Sequence, residues 1–280
     1  MRLHNFCAAG LLFAAACSPV HDKEASMKSS NKEKVIALLR SIETGDPQPV
    51  SFINPDRYIQ HNLMVGDGIA GFAAVLQQLP KGSARVKIIR AFEDGDYVFT
   101  HTEYDFFGPK IGFDIFRFEN GLIVEHWDNL QETAPANSSG RTQTDGPVNA
   151  VDLHKTAENK ALVQRFIEEV LVAGKAEEIT KYISPASYLQ HNPALGDGLE
   201  ALADALQRMA AAGTPMTYTR NHMILGEGNF VLAVSEGTFL GKHVAFYDLF
   251  RIENGKLAEH WDTIEEIPAR EAWKNDNGKF

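Results

Sequence analysis

Residues two apart on a β-strand point to the same side. His126 and Asp128 have that spacing in the run Glu125-His126-Trp127-Asp128. The strand before it carries Asp114, Phe116 and Phe118 on one face, and the pair Asn120-Gly121 separates the two runs. Asn-Gly between alternating runs is the strongest short hairpin signal. A hairpin there brings Asp114, His126 and Asp128 together among aromatic rings. Such a set suits proton transfer. A carboxylate desolvated by aromatics gains basicity. It can take a proton from a carbon next to a carbonyl, while a neighbouring His or Asn hydrogen-bonds the developing enolate oxygen.

The whole arrangement occurs twice. Asp114 to Asp128 returns as Asp248 to Asp262 at a constant offset of 134 residues, with His126 matched by His260. Upstream, Tyr58-Ile59-Gln60-His61-Asn62 returns as Tyr188-Leu189-Gln190-His191-Asn192 at an offset of 130. This period is far longer than a solenoid unit of roughly 20–50 residues. Each copy is therefore expected to be a small domain with its own core.

The elements that must position these residues follow one plan in each copy. Val35, Leu38, Leu39 and Ile42 form an apolar stripe at helical spacing, with Asn31 as the expected N-cap and Gly45-Asp46-Pro47 as the stop. A short second helix is expected over Pro49–Ile53, and a third carries Phe72, Val75, Leu76 and Leu79. The pattern then changes to period two, predicting strands at Val86–Asp94, Tyr97–Phe107, Ile111–Phe118 and Leu122–Leu130. The second copy predicts strands at Met216–Leu225, Phe230–Leu240, His243–Ile252 and Leu257–Ile264. Helices followed by a meander of strands imply an α+β fold: two repeated domains, each with three helices packed on a curved, mainly antiparallel sheet. The expected boundaries are residues 31–132 and 153–267, a Ser/Thr/Gly/Pro-rich linker at 133–152, and a polar, peripheral tail at 268–280.

These residues and their order resemble the SnoaL-like polyketide cyclase family, of the cone-shaped, nuclear-transport-factor-2-like fold. Tyr58-Ile59-Gln60-His61-Asn62, Asp67-Gly68, Asp114-Ile115-Phe116-Arg117 and Glu125-His126-Trp127-Asp128 carry the resemblance, with their second-copy partners. It implies an Asp as general acid/base, which falls on Asp128 and Asp262, with Asp114 and Asp248 next. It also implies sheets paired back to back, supplied here by an intramolecular pseudo-dimer of the two copies. Fold does not decide chemistry, however. Two readings stay open: a cofactor-independent lyase or isomerase doing aldol-type chemistry on a small carbonyl compound, and a non-catalytic module binding a small hydrophobic ligand.

Other residues carry weaker signals. His61-Asn62 and His191-Asn192 either line the pocket as substrate contacts or cap and turn the chain. His101 is a further candidate pocket residue. Its second-copy counterpart is Val234, so the first copy keeps the fuller polar set and is favoured if only one works. Trp127 and Trp261 read as packing residues, and Arg117 and Arg251 as partners of Glu125 and Glu259 across the hairpin. No tight His-x-x-x-His spacing supports a metal. A Gly-rich phosphate loop and a Gly-x-Ser-x-Gly are also missing, so no metal and no cofactor are expected. The formal net charge of −10 without a basic cluster argues against nucleic acid.

Residues 1–17 read as an export signal: Arg2 and His4, an apolar run from Phe6 to Ala16, then Cys17. Small residues directly before a cysteine resemble a bacterial lipoprotein signal, with Cys17 lipidated and 18–30 a tether. The expectation is an exported lipoprotein at the periplasm or cell surface, touching the membrane through its lipid anchor alone. The only cysteines are Cys7 and Cys17, so the folded part has no disulfide. Mass spectrometry of the exported protein should find a diacylglyceryl group on Cys17. An unmodified Cys17 thiol would mean an ordinary secretory signal.

Overall fold

The computed structural model describes residues 29–80, 82–185 and 187–280. The signal segment, Cys17 and most of the tether lie outside the described residues. Among the described residues, no helix is long and apolar enough to cross a membrane.

The first helix, α1 (Asn31–Thr44), is capped by Ser30, one residue before the expected cap. Its hydroxyl accepts from the Glu33 amide, and the Glu33 carboxylate accepts from the Ser30 amide, a reciprocal capping box. Val35, Leu38 and Leu39 are its buried stripe. The helix expected at Pro49–Ile53 is instead a 3-10 turn, Gln48–Phe52. The seven residues between Pro47 and Pro55 are too few to repay helix nucleation. The next helix is α2 (Gly68–Gln78). In the second half, α3 (Thr156–Phe166) runs into a π-turn at Ile167–Val172, a 3-10 turn spans Ala176–Lys181, and α4 is Gly198–Ala211. Among the described residues, each half therefore has two α-helices where three were expected.

The strands are β1 (Ile59–Gln60), β2 (Arg85–Asp94), β3 (Tyr97–Asp105), β4 (Pro109–Glu119) and β5 (Leu122–Glu132). They are followed by β6 (Leu189–Gln190), β7 (Thr217–Glu227), β8 (Phe230–Phe239), β9 (Lys242–Glu253) and β10 (Lys256–Glu266). They form two five-stranded sheets, in the orders β1-β5-β4-β3-β2 and β6-β10-β9-β8-β7. The two-residue strands β1 and β6 pair parallel to β5 and β10 and are too short for any periodicity to reveal. All other pairings are antiparallel. Asn120-Gly121 and Asn254-Gly255 turn the last hairpin of each sheet, all four with positive φ, as a type I′ turn requires.

Both faces of each sheet are covered. One face carries the helices: Val35, Leu38 and Leu39 of α1 pack with Val98, Phe116 and Phe118, and Val163 and Phe166 of α3 with Val231 and Phe250. The other faces meet each other. Phe92, Phe99, Phe113, Ile115 and Trp127 share one cluster with Phe230, Leu232, Tyr247, Leu249 and Trp261. Asn129 reaches across it, donating to the Thr263 carbonyl at 2.8 Å. Gln131 accepts from the Ile264 amide at 2.9 Å, and Glu265 accepts from the Leu130 amide at 3.3 Å.

The tail is not peripheral. Asn275 and Lys279 are buried, and the segment returns over the first half, where the Lys274 amide donates to the Leu63 carbonyl at 2.8 Å. Polar composition suggested exposure; here the polar groups are used up on backbone.

Trp261 is fully buried at the junction, with the Arg90 guanidinium 4.3 Å from its ring centroid. Trp261→Ala should cost about 3–5 kcal/mol in urea denaturation. A loss below about 1 kcal/mol would mean that this face contributes little to stability.

Candidate active site

Strand register builds the site. Asp114 pairs directly with Asp128 and Phe116 with His126, and in the second sheet Asp248 pairs with Asp262 and Phe250 with His260. All six candidate acid–base residues therefore lie on the helix-covered faces, three in each half, and all are buried. The parallel pairing of Gln60 with His126, and of Gln190 with His260, brings a Gln to the same face.

In the second half the hydrogen bonds define which atoms carry protons. Gln190 Oε1 accepts from the Asn192 amide at 2.9 Å, which identifies it as the oxygen, so His260 Nδ1, 3.0 Å away, must donate to it. His260 Nε2 then faces Asp248 Oδ1 at 3.0 Å, and that contact requires one proton shared between imidazole and carboxyl. Tyr218 donates to the same carboxyl at 3.2 Å. Asn192 Oδ1 accepts from the Ala194 amide, turning Nδ2 to Asp262 Oδ2 at 2.7 Å. The other Asp262 oxygen, Oδ1, is buried with no hydrogen-bond partner.

This environment tunes both groups. Burial pushes the Asp262 carboxyl up; the His260 charge opposes it, the Asp248 charge adds to it, and the Asn192 hydrogen bond lowers it less, leaving the carboxyl raised. Burial alone lowers His260, but the hydrogen bond to Asp248 and the charges of Asp262 and Asp248 outweigh it and leave the imidazole raised. Burial and the same two aspartates keep Tyr188 and Tyr218 well above their ordinary value, as neutral phenols.

The first half repeats the bonds with one difference of origin. His126 Nδ1 lies 3.0 Å from Gln60 Oε1 and Nε2 lies 3.3 Å from Asp114 Oδ1, while Asn62 Nδ2 donates to Asp128 Oδ2 at 2.7 Å. The phenol on Asp114 is Tyr104 of β3, at 2.6 Å, whereas Tyr218 comes from β7. With Tyr104 and Phe106 on its wall, the cavity beside Asp128 measures about 100 Å³. The cavity beside Asp262 measures about 390 Å³, walled by Phe166, Leu202, Leu206, Met209 and Phe239. The second half has the roomier cavity of the two.

Three histidine candidates lie elsewhere. His61 and His191 stack on Trp127 and Trp261 at 4.6 Å and face Glu125 and Glu259, on the side where the sheets meet. The reason is parity: Gln60 points into the cavity, so the next residue points away. Their neighbours Asn62 and Asn192 do reach the cavities. His101 pairs with Phe113 across the sheet, stacks on it at 4.3 Å and accepts from Arg90 at 3.0 Å. Burial first, then the Arg90 charge, hold it well below its ordinary value. The expected pairs Arg117–Glu125 and Arg251–Glu259 are present, at 2.7 and 2.6 Å. Gln60, Gln190, Tyr104 and Tyr218 were not singled out from the sequence. The return of Gln60 as Gln190 in the recurring Tyr-x-Gln-His-Asn string held the signal for the glutamine.

In each half one oxygen of each Asp and a His nitrogen lie within 4.8 Å of one another, a donor set that could hold a divalent cation. A cation there would compete for the position of the proton that His260 and Asp248 share.

Asp262 and His260 both hold a proton in the folded chain that the unfolded chain releases. For a raised value the stabilisation is complete below the unfolded pKa and lost as pH climbs through the folded one. The window therefore opens above 3.8 for Asp262 and above 6.5 for His260. Asp262→Asn, which cannot titrate, should flatten the lower part of that decline in denaturant stability measured against pH. A decline equal to the wild type's would show that Asp262 titrates alike in both states.

No curated protein matches the chain. TsrD from Streptomyces laurentii is 24% identical, with 39% of this chain and 89% of that one covered and a TM-score of 0.31. IdmH, a candidate polyketide cyclase from Streptomyces antibioticus, is 18% identical over 39% and 92%, also at 0.31. An LEH-like epoxide hydrolase of M. tuberculosis is 21% identical over 36% and 81%, again at 0.31. Residues 163–260, from α3 to His260, match the family described as the SnoaL-like domain, and the second half of the chain thus holds a SnoaL-like domain.

Proposed function

We propose that the second half is a cofactor-free acid–base catalyst acting on a small, largely apolar carbonyl compound, in an aldol-type cyclisation or an isomerisation. One observation carries this reading: Asp262 presents a buried oxygen without a partner beside an apolar cavity of about 390 Å³, while Asn192 pins its other oxygen. Asp262 takes the proton from the carbon next to the carbonyl, and the bonding pair moves onto the carbonyl oxygen. The proton shared by His260 and Asp248 is the acid of the set. Given to the enolate oxygen, it leaves His260 neutral with Nδ1–H on Gln190, and Asp248 as carboxylate. In the cyclisation, the enol carbon attacks a second carbonyl of the same molecule, the new alkoxide takes the proton held by Asp262, and the enol O–H proton returns to Asp248 and His260 as the first C=O re-forms. An elevated carboxyl pKa suits a base working near neutral pH.

In this reading the first half is a non-catalytic partner. Its cavity is small, and the buried Lys279 ammonium stands 3.9 Å from Asp128 Oδ1, bound also to Glu265 and, at 2.8 Å, to the Asp128 carbonyl. The chain is then a tandem pair of SnoaL-like modules packed as an intramolecular pseudo-dimer. It is exported and lipid-anchored through Cys17, with no nucleic-acid partner. The sequence repeat and the cluster shared between the two sheets support the pairing. Simple capture of a hydrophobic ligand in the same cavity is the competing reading.

Proton NMR in heavy water, with a panel of β-keto and aromatic ketone compounds, tests the choice. Exchange next to the carbonyl should fall by roughly 10²- to 10⁴-fold in Asp262→Asn and stay near wild type in Asp128→Asn. Exchange that survives Asp262→Asn would remove this carboxylate from the mechanism. Binding of a panel member without exchange would favour the ligand-capture reading.

A further inference from the structure

We infer that each site is completed by a strap from the opposite half, with Asn137 and Asn275 as the positioning residues. The strand that carries Asp128 runs on into residues 133–152, and the strand that carries Asp262 runs on into 267–280. Neither extension stays with its own sheet. Asn137 is buried and donates to the carbonyls of Gln190 at 2.6 Å and Asn192 at 3.4 Å, in the second half. Asn275 is buried and donates to the carbonyls of Asn62 at 2.8 Å and Val65 at 3.0 Å, in the first.

The two straps share several bonds, although Asn137 itself holds the Gln190 carbonyl while Asn277, and not Asn275, holds the Gln60 carbonyl. Asn137 Oδ1 accepts from the Ser139 amide, and Asn275 Oδ1 from the Asn277 amide, each two residues on. Arg141 donates to Asp197 and Asn277 to Asp67, and these aspartates accept from the Gln190 and Gln60 amides. His191 Nδ1 meets the Thr142 carbonyl at 2.8 Å, and His61 Nδ1 the Gly278 carbonyl at 2.9 Å. The recurring Tyr-x-Gln-His-Asn string thereby has two duties. Gln and Asn point into the cavity, and His points out to the strap.

The bonds give the straps their leverage. Gln190 and Asn192 hold His260 Nδ1 and Asp262 Oδ2, and Asn137 holds the backbone of both. Slackening that backbone withdraws the Asn192 donor from the Asp262 carboxylate, and a hydrogen bond to the charged form favours that form. The other groups set around Asp262 are Asp248 of β9, His260 of β10, Tyr188 and Tyr218, with Arg208 of α4 on the cavity wall. Around Asp128 they are Asp114, His126, Tyr58, Tyr104, Tyr247, Lys279 and Glu265.

Asn137→Ser and Asn275→Ser test this in the full chain. Serine keeps a hydroxyl to accept the amide two residues on but is too short to reach the opposite loop. The readout is the carboxyl carbon shift of Asp262 and Asp128 against pH. The inference rests on Asp262 being the working carboxylate only for its catalytic meaning, since this titration needs no turnover. Asn137→Ser should move the Asp262 midpoint upward and leave Asp128 unchanged; Asn275→Ser should do the reverse. Midpoints that stay put in both variants, or that move in the half from which the strap departs, overturn the inference. Should one variant fail to fold, the other puts the same question to the opposite loop.

Discussion

The inner strands of each sheet have little face left for water. One side lies under helices and the other against the second sheet, so β4, β5, β9 and β10 present two largely dry surfaces, while β2 and β7 at the sheet edges keep exposed residues. The consequences reach the site. A carboxylate on the helix side cannot find solvent on either side of its strand. Asp248 and Asp262 are therefore buried opposite each other, with His260 and Asn192 as their protein partners. Two aspartates in register would repel if both were fully charged and unpartnered. A proton shared between His260 and Asp248 relieves one of them. The raised carboxyl of Asp262 follows from the same enclosure.

Double burial also explains what could be read from the residues. Where helices supply one face, their apolar stripes were plain, as in Val35, Leu38 and Leu39. Strand positions came out within a few residues, because the Asn-Gly hairpins pin the register. Grouping Asp114, His126 and Asp128 on one face was sound for the same reason. Which of the two faces is the cavity was harder to see. In a strand dry on both sides, His101 toward the partner sheet and Thr100 toward the cavity carry no contrast in polarity that would betray the direction. His61 and His191 were misplaced because β1 and β6 are only two residues long, and a parallel pairing of two residues leaves no periodic trace.

The asymmetry between the halves arises from volume and charge and not from the shared motif. The motif residues make the same bonds in both sheets. Tyr104 reaches Asp114 from β3, while Tyr218 reaches Asp248 from β7, and the two cavities differ about fourfold in size. The straps differ too. One residue past the carbonyl that His191 meets is Gln143, which accepts from its own segment at Ala134; one past the carbonyl that His61 meets is Lys279, beside Asp128. Counting polar residues in the sequence favoured the first copy, because the extra histidine was visible and the filled space was not.

The crossing of the two extensions bears on how such a chain came to be. In a pair of separate, identical subunits, each would end in a tail lying over its neighbour, and the two tails would be alike. In this chain one such segment is residues 267–280, and the other runs on through residues 148–155 into α3. On the reading of two copies of one module, the stretch between the halves is no added spacer. On that reading it corresponds to the strap at 267–280, lying against the second half as that one lies against the first. The join would then have preserved an older contact between molecules by placing it inside one.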